Sequence, residues 1–451
     1  MEQKKKEAIL IVRTLQENGF TAYFAGGCVR DSIRGETPVD YDIATSARPE
    51  EVEGLFQKTR AVGSHFGVII VLNGGYEFDV ATFRNEGSYS DGRRPDSVEF
   101  STARQDATRR DFSINGLFQD PVTGKIIDYV EGQPDIANGV IRAIGDPYQR
   151  FGEDHLRLLR AIRFSARFGY RIEADTLAAL EKGAVNNDLG KISVERIREE
   201  FSMMMLDINR TEAFDLLVET GLMTCIIPEI LALKGCEQPP QFHPEGDVFV
   251  HTRLMLKELG KLKQRPGLNP LHLVLSILLH DIAKPATFSY DEDADRIRFN
   301  GHDKVGEEMA ANILRRLKYS NSVIEAVTAM VANHMAFKDV QQMRVSKLKR
   351  LMGRPTYHDE MELHRIDCLC SWGGLDNHEF LTAKQQEFAN EPIIPPPLLS
   401  GHDLIDRGIP PGPNIGVILH TVQDVQLEGT FTGRDAALQW LEEHLEALGD
   451  G

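Results

Sequence analysis

The sequence predicts an α+β protein in which a mixed head comes first and an all-helical remainder follows. Strand-like alternation of apolar and polar residues is confined to residues 1–145. Within that stretch, Asn73-Gly74-Gly75 separates two alternating runs, which is typical of a β-hairpin. From residue 146 to the end, apolar residues recur at helical spacing.

Each element of the head has its own signal. A helix is expected over residues 5–18, because Ala8, Ile11, Val12 and Leu15 share one face and Gly19 follows. Alternation and turn residues predict strands at 21–25, 68–72, 78–83, 125–130 and 140–144.

Clusters of proline and glycine divide the helical remainder at residues 238–244, 391–397 and 409–413. We therefore expect four parts. They are the head at 1–145, a helical neck and body at 146–237, a third part at 238–390 and a helical tail at 391–451.

Composition excludes several classes of protein. The 451 residues carry 51 basic and 68 acidic side chains, a formal net charge of −17. No apolar run reaches the roughly 20 residues of a membrane span, and the N-terminus lacks a secretory signal. Five cysteines without a Cys-x-x-Cys pair indicate a cytoplasmic protein. The acidic excess argues against nucleic-acid binding, but the motifs point the other way.

Two motifs follow the first strand. Gly26-Gly27-Cys28-Val29-Arg30-Asp31 opens a helix whose free N–H groups suit phosphate. Asp40-Tyr41-Asp42 comes next, and carboxylates two residues apart in a strand share a face. Such a pair suits Mg²⁺, although a solvated acidic strand end is the alternative. Asp79 is a candidate third carboxylate or a simple exposed strand residue.

Together these motifs resemble the nucleotidyltransferase superfamily with a polymerase-β-type palm, a small mixed sheet with helices. The run Arg109-Arg110-Asp111-Phe112-Ser113-Ile114-Asn115-Gly116 is similar to the Arg-Arg-Asp-Phe-Thr-x-Asn-Ala motif of class II tRNA nucleotidyltransferases and bacterial poly(A) polymerases. Ser113 and Gly116 depart from that pattern by replacing Thr and Ala.

The resemblance implies roles for these residues. Asp40 and Asp42 are the expected catalytic residues and Mg²⁺ ligands. Paired arginines bind phosphates in a bidentate manner, and Asp111 and Asn115 suit sugar hydroxyls. The expected nucleotide-binding residues of the head are Gly27, Arg30, Arg109, Arg110, Asp111 and Asn115.

Glu153-Asp154-His155-Leu156-Arg157 resembles the nucleotide template of the family. Asp154 and Arg157 are spaced i, i+3 and are expected to share a helix face. A carboxylate and a guanidinium imitate a Watson–Crick edge, which selects C and A. Arg160 and Arg163 extend a basic stripe suited to phosphates and the RNA end. Ser193–Arg196 indicates a helix start more than chemistry.

Among the activities of the family, the sequence favours CCA addition. The expected reaction adds CMP, CMP and AMP to the tRNA 3′ end from CTP and ATP without a nucleic-acid template, by two-metal transfer that releases pyrophosphate. A segment containing Arg84, Asp91, Arg93 and Arg94 resembles the flexible loop for terminal A addition. Residues 62–68 lack the basic residues of poly(A) polymerases. Addition of A alone and polyadenylation stay open.

Six residues between 238 and 390 follow the pattern of an HD domain, and imidazole and carboxylate groups suit transition metals. We expect His251, His280, Asp281 and Asp367 to hold one ion, and His302 and His334 a second. The rival function is an HD-domain phosphohydrolase whose N-terminal half binds RNA.

The expected partners are the acceptor arm and elbow of tRNA, with no membrane and no obligate protein partner. The run Arg344, Lys347, Lys349, Arg350 and Arg354 is a solvated helix face or a contact with the tRNA elbow.

Overall fold

The computed structural model describes residues 2–61, 67–86, 98–260, 267–390 and 392–449. The chain divides into two compact units: residues 1–231 with 316–318, and residues 232–315 with 319–451. In the described residues the first unit combines a sheet with helices, whereas the second is helical apart from one hairpin. The predicted α+β class is confirmed.

The strands of the first unit are short. They are β1 (Ala22–Ala25), β2 (Ile43–Thr45), β3 (Thr59–Ala61), β4 (Val68–Asn73), β5 (Tyr76–Thr82), β6 (Arg84–Glu86), β7 (Val98–Phe100), β8 (Leu117–Gln119), β9 (Ile126–Asp128), β10 (Val140–Ile141) and β11 (Arg171–Ile172).

Seven of these strands form a mixed sheet in the order β3-β4-β5-β2-β1-β8-β9, whereas β6 pairs with β7 and β10 with β11. Only the β2–β5 pair in this sheet, as far as it is described, is parallel. The predicted hairpin joins β4 and β5, and its turn places Gly74 and Gly75 at φ 57° and 84°, where glycine avoids a Cβ clash. The sheet core includes Phe83 and Phe118, whose rings pack edge to face.

Helices cover the sheet and build the neck. They are α1 (Glu2–Glu17), α2 (Gly27–Ile33), α3 (Pro49–Leu55), α4 (Ala103–Thr108), α5 (Gly132–Asn138), α6 (Pro147–Glu153), α7 (Arg157–Phe168), α8 (Ala174–Val185), α9 (Val194–Leu206), α10 (Arg210–Glu219) and α11 (Met223–Ile226). Helix α1 starts three residues earlier than the sequence predicts. Helix α7 ends at Gly169, which has φ 66°.

The second unit contains one described hairpin, β12 (Ser289–Asp291) with β13 (Arg296–Arg298). Its helices are α12 (Val248–Gly260), α13 (Pro270–Leu279), α14 (Lys284–Thr287), α15 (His302–Arg316), α16 (Asn321–Asn333), α17 (Val345–Met352), α18 (Tyr357–Cys370), α19 (Asp376–Glu387), α20 (Gly401–Ile405), α21 (Pro413–Leu427) and α22 (Arg434–Gly449).

Helix α13 is the central helix of this unit. All its residues from Leu273 to Leu279 are buried, because the run is apolar except for Ser276, whose hydroxyl donates to Met330 Sδ at 3.2 Å. The helix ends at His280 and so delivers that side chain into the interior. Among the described helices of the chain, none combines the length and the apolar character needed to cross a membrane.

Candidate active site and metal centre

Asp40 and Asp42 lie in the segment that leads into β2, whereas the sequence analysis expected them within a strand. The carbonyl oxygen of Asp42 accepts a hydrogen bond of 3.0 Å from the Ala25 amide at the end of β1. Asp79 lies on the neighbouring strand β5. Loss of hydration and then the charge of Asp79 raise the pKa of Asp42. Because its carboxylates repel one another, the site favours a bound cation.

A lysine compensates part of this charge. Lys4, on α1, forms an ion pair with Asp40 and donates a hydrogen bond of 3.3 Å to the Val39 carbonyl. The Asp40 side chain remains 73% exposed, so its oxygens stay accessible to a cation. Lys4 was not predicted from the sequence, because no local pattern links two residues so far apart along the chain.

Arg109 and Arg110 converge on one buried carboxylate, that of Asp106. The Nη2 atom of Arg109 lies 2.7 Å from Oδ1, and the Nη2 atom of Arg110 lies 2.9 Å from Oδ2. Burial raises the pKa of Asp106, but the two guanidinium groups outweigh it and lower that pKa. The predicted phosphate-binding pair is therefore held in place by Asp106. The i, i+3 and i, i+4 spacings were the missed signal.

Asp111 and Asn115 are engaged within the protein. Asp111 accepts hydrogen bonds of 2.6 Å from Arg160 Nη2 and 3.0 Å from Asn115 Nδ2. Burial opposes ionisation, but Arg160 and these hydrogen bonds lower the pKa of Asp111 to about 2. Both residues are buried, so they hold the loop after α4 instead of pointing into open solvent.

Arg30 is also internal, with 5% of its surface exposed. It donates to Asn115 Oδ1 at 2.6 Å, pairs with Asp31 at 2.7 Å and stacks on the Phe168 ring at 4.6 Å. Gly27 begins α2 beside this group. The guanidinium thus joins α2 to the turn that contains Asn115.

Gly26 allows the backbone to approach the arginine pair. A Cβ atom at this position would lie 2.8 Å from Arg110 Nη1, and the φ of 68° disfavours any other residue.

The expectation that Asp154 and Arg157 share a helix face is wrong. Helix α6 ends at Glu153, Asp154 is extended at φ −140°, and α7 begins at Arg157. Arg157 donates to Glu153 Oε2 at 2.8 Å. Asp154 instead receives two hydrogen bonds, of 3.2 and 2.9 Å, from Arg196 on α9. The chain breaks its helix here because the Asp154 carboxylate accepts from the Leu156 amide.

Two arginines of the predicted basic stripe on α7 pair with carboxylates of the protein, and the role of the stripe in phosphate binding stays a prediction. Arg160 pairs with Asp111, and its Nη1 atom lies 3.7 Å from Glu200. Arg163 pairs with Glu200 at 2.6 Å. Glu200 is buried on α9, and the sequence analysis did not single it out.

Of the predicted flexible loop, only Arg84 is described, at the start of β6. Asp91, Arg93 and Arg94 lie outside the described residues, as do residues 62–66.

In the second unit, the six predicted metal ligands come together in two groups. The first contains His251, His280 and Asp367, and the second contains Asp281, His302 and His334. In each group the candidate ligand atoms lie within 4.8 Å of one another. Asp281 contacts both groups: its Oδ2 lies 3.1 Å from His280 Nε2, and its Oδ1 lies 3.6 and 3.8 Å from Nε2 of His302 and His334. Which ion each ligand would hold stays a prediction.

The donor atoms fit a metal centre. The Nε2 atoms of His251 and His280 are buried and have no hydrogen-bond partner among the described residues. They lie 3.1 Å from carboxylate oxygens of Asp367 and Asp281, respectively. Burial raises the pKa of Asp281, but His280 and then Lys284 hold it well below its usual range. Imidazole nitrogens and carboxylate oxygens are suitable ligands for transition metals.

Glu245 orients the His251 ring by contacting its Nδ1 atom, which leaves Nε2 as the candidate ligand atom. Its Oε1 atom lies 2.7 Å from Nδ1 of His251 and 2.9 Å from Nδ1 of His243. A carboxylate on Nδ1 directs Nε2 of the same ring towards a metal. The sequence analysis did not select Glu245 or His243, although both lie in the same loop before α12.

The comparisons with known proteins cover most of the chain. Residues 22–142 match the poly A polymerase head domain, residues 169–233 the probable RNA and SrmB- binding site of polymerase A, and residues 248–372 the HD domain.

A CCA-adding enzyme of Pediococcus pentosaceus is 41% identical over 441 residues, which cover 97% of each chain. The chain belongs to the CCA-adding enzyme family. The CCA-adding enzyme of Lactobacillus johnsonii is 30% identical over 96% of this chain and 95% of its own. The Enterococcus faecalis enzyme is 45% identical over 216 residues, so the match spans about half the length of that relative.

Solved structures agree with this family. A Bacillus stearothermophilus CCA-adding enzyme in complex with CTP aligns over the whole of both chains, with a TM-score of 0.71 and 25% identity. The Thermotoga maritima CCA-adding enzyme complexed with tRNA shares the fold, with a TM-score of 0.59 and 20% identity. The predicted family is confirmed, and so is the predicted α+β fold with its nucleotidyltransferase head.

Proposed function

We propose that the chain adds CMP, CMP and AMP to the 3′ end of tRNA, with CTP and ATP as substrates and pyrophosphate as the leaving group. One observation carries the proposal. A single unit presents accessible carboxylates, a preset arginine pair and an Asp154 side chain fixed by Arg196. The relatives over the full chain length, which are CCA-adding enzymes, support the same reaction.

The carboxylates and the arginines would have separate roles in the transfer reaction. Asp40 and Asp42 would hold Mg²⁺, which supplies positive charge for the reacting phosphate. Arg109 and Arg110 would bind the phosphate oxygens of the nucleotide, since Asp106 fixes their forks and leaves 17% and 21% of their side chains exposed.

Base selection is assigned to the junction of α6 and α7. Asp154 would accept a hydrogen bond from the exocyclic amine of C or A, because Arg196 occupies only part of its acceptor capacity. Arg157 would donate to the base edge from its position at the start of α7. The ion pairs of Arg160 with Asp111 and of Arg163 with Glu200 would hold α7 in position at this junction.

The test compares three RNAs, each with labelled CTP or ATP: tRNA without CCA, tRNA ending in CC, and an unstructured RNA. We expect incorporation of CMP and AMP into the first and of AMP into the second. Asp42→Asn should abolish incorporation while tRNA binding persists in a gel-shift assay. Glu77→Gln, an exposed carboxylate on β5, is the matched control. A product ladder on unstructured RNA would instead favour polyadenylation, and absence of CMP incorporation would favour A-only addition.

For the second unit we propose transition-metal binding by the two ligand groups. The orphaned ring nitrogens of His251 and His280 support this assignment. We also propose the four-part organisation with boundaries at 145, 237 and 390, and a cytoplasmic location consistent with so few cysteines.

A further inference from the structure

The second unit has a strongly basic cleft outside the metal-ligand groups. Its cavity of about 570 Å³ lies along residues 335–354. The charged side chains that line it are Lys338, Asp339, Arg344, Lys347, Arg350 and Arg354. Five cations and one anion therefore meet in a chain whose formal net charge is −17.

The cations of the cleft are only partly neutralised. Arg350 pairs with Asp424 at 2.6 Å, and Arg354 pairs with Glu360 at 3.1 Å. Lys338 and Lys347 are exposed, and among the described residues neither forms an ion pair. Uncompensated charge in a concave surface attracts anions over about a Debye length, roughly 8 Å at physiological salt.

This cleft adjoins the cavity of the metal-ligand groups. That second cavity, of about 480 Å³, is lined by Asp281, Asp367, Arg296 and Arg298. Met335 and Lys338 line both cavities, so the two spaces are adjacent at these residues. The basic lining therefore extends from the metal-ligand groups onto the surface.

Aromatic side chains accompany the cations. Phe242 and Trp372 line the metal-ligand cavity and are 53% and 60% exposed. Exposed rings beside cations are suited to stacking nucleobases while the cations hold the backbone. A mononucleotide would fill only one of the two cavities, whereas a polynucleotide supplies further phosphates for the second.

We propose that the cleft at residues 335–354 binds the phosphodiester backbone of a single RNA strand whose end lies in the adjacent metal-ligand cavity. The proposal rests on the proposed function only in choosing RNA as the polymer. Lys338 contacts the phosphate at the junction of the two cavities, and Lys347 and Arg344 contact phosphates further out.

Two lysines of helix α17 provide a matched test. Lys347 lines the cleft, whereas Lys349 packs over the Phe388 ring at 5.1 Å. The probe is a short fluorescent single-stranded RNA, bound to the full chain without nucleotides or added metal. Lys347→Glu should weaken binding about threefold at physiological salt and reduce the slope of log affinity against log salt by about 0.7. Lys349→Glu makes the same change in net charge and should leave the slope unchanged.

A second measurement locates the RNA, because the first unit also binds this polymer under the proposed function. A photoreactive benzoylphenylalanine at position 347 should cross-link to the probe, and the same residue at 349 should not. AMP in excess should leave the cross-link intact. Equal effects of the two charge reversals, equal cross-linking from both positions, or displacement by AMP would overturn the proposal. Absence of CMP incorporation by the parent chain would contradict the proposed function but would leave RNA binding by this cleft unaffected.

Discussion

At the scale of single residues, Arg196 controls how Asp154 is presented. Its two hydrogen bonds, of 3.2 and 2.9 Å, hold the carboxylate in one orientation. Bonds between charged groups contribute about 1.5–3 kcal/mol each. We therefore expect Arg196→Gln to increase misincorporation of UMP and GMP about tenfold, a change that corresponds to about 1.4 kcal/mol, while CMP turnover falls less.

The control is Arg198→Gln on the same helix. Single-nucleotide incorporation with each of the four triphosphates would measure the selectivity. If Arg196→Gln kept the selectivity of the parent, neither Arg196 nor the orientation that it gives to Asp154 would contribute to base selection.

Asp111 gives a prediction about pH. Its pKa is about 2 in the folded chain, against about 3.9 in unfolded chains. A lowered folded-state pKa means that the stabilisation is complete above about pH 3.9 and is lost as the pH falls towards 2. Removal of one partner from a buried ion pair costs about 3 kcal/mol, so Asp111→Asn should lower the free energy of unfolding by that amount at pH 7.

Urea unfolding between pH 7 and pH 2.5 would measure this effect, with exposed Asp175→Asn as the control. The difference between the parent and Asp111→Asn should shrink as the pH falls below 4. A difference that stays constant would show that the Asp111 charge contributes nothing to stability.

Single residues also show which contacts are readable from local spacing and which depend on packing. Asp154 and Arg157 were predicted together as base-reading residues from the local spacing of their motif, and that assignment stays a prediction. The residue that holds the Asp154 carboxylate within the protein, Arg196, lies 42 residues away on another helix. Such a contact depends on how α7 and α9 pack, which no local spacing encodes. Asp106 is different, since its i, i+3 and i, i+4 relation to the arginine pair was readable.

At the scale of elements, the turn before β8 explains one departure from the family pattern. A Cβ atom at Gly116 would lie 2.6 Å from Val130 Cγ2 and 3.1 Å from Ile144 Cδ1. Gly116 has φ −87°, so the constraint is steric and not conformational. Overpacking in a core costs about 1–3 kcal/mol. Gly116→Ala should therefore destabilise the first unit by that amount.

Val130→Ala removes the obstructing methyl groups and tests the cause. We expect Gly116→Ala to lower the stability less in the Val130→Ala background than in the parent. Thermal unfolding of the parent, the two single variants and the double variant measures this coupling. Additive effects of the two substitutions would contradict the steric explanation.

Element positions were predictable to within a few residues where the pattern was local. The hairpin of β4 and β5 follows from its turn residues, and α2 follows from Gly26-Gly27. The carboxylate pair was placed inside a strand, yet β2 begins only at Ile43, where pairing with Phe24 starts. Strand ends depend on the partner strand, so the motif alone could not fix this boundary.

At the scale of the whole molecule, the net charge of −17 does not indicate the local charge of α7 or of the cleft at residues 335–354. On α7 the expected basic stripe is neutralised by Asp111 and Glu200. In the second unit, Lys338 and Lys347 line a concave surface and form no ion pair among the described residues. A sum over the chain cannot distinguish these cases, because screening makes attraction to phosphate a local property.

The two units also predict separate metal chemistries. The candidate ligands of the first site are the carboxylates of Asp40 and Asp42, which suit Mg²⁺, whereas those of the second combine imidazoles with carboxylates. After chelation, addition of Mn²⁺ should raise the thermal stability of the second unit. Saturation at about 100 times the dissociation constant contributes about 2.7 kcal/mol.

Asp367→Asn removes one ligand of the second site and should abolish this Mn²⁺-dependent stabilisation, because its side chain completes the group with His251 and His280. CMP incorporation with Mg²⁺ should stay at the parent level, since no step of the proposed transfer uses Asp367. Asp42→Asn should show the reverse, with the Mn²⁺ shift retained and incorporation lost. Calorimetry of the chelated proteins and a CMP incorporation assay measure the two properties side by side. Loss of both properties in either variant would mean that the two metal chemistries are not separate.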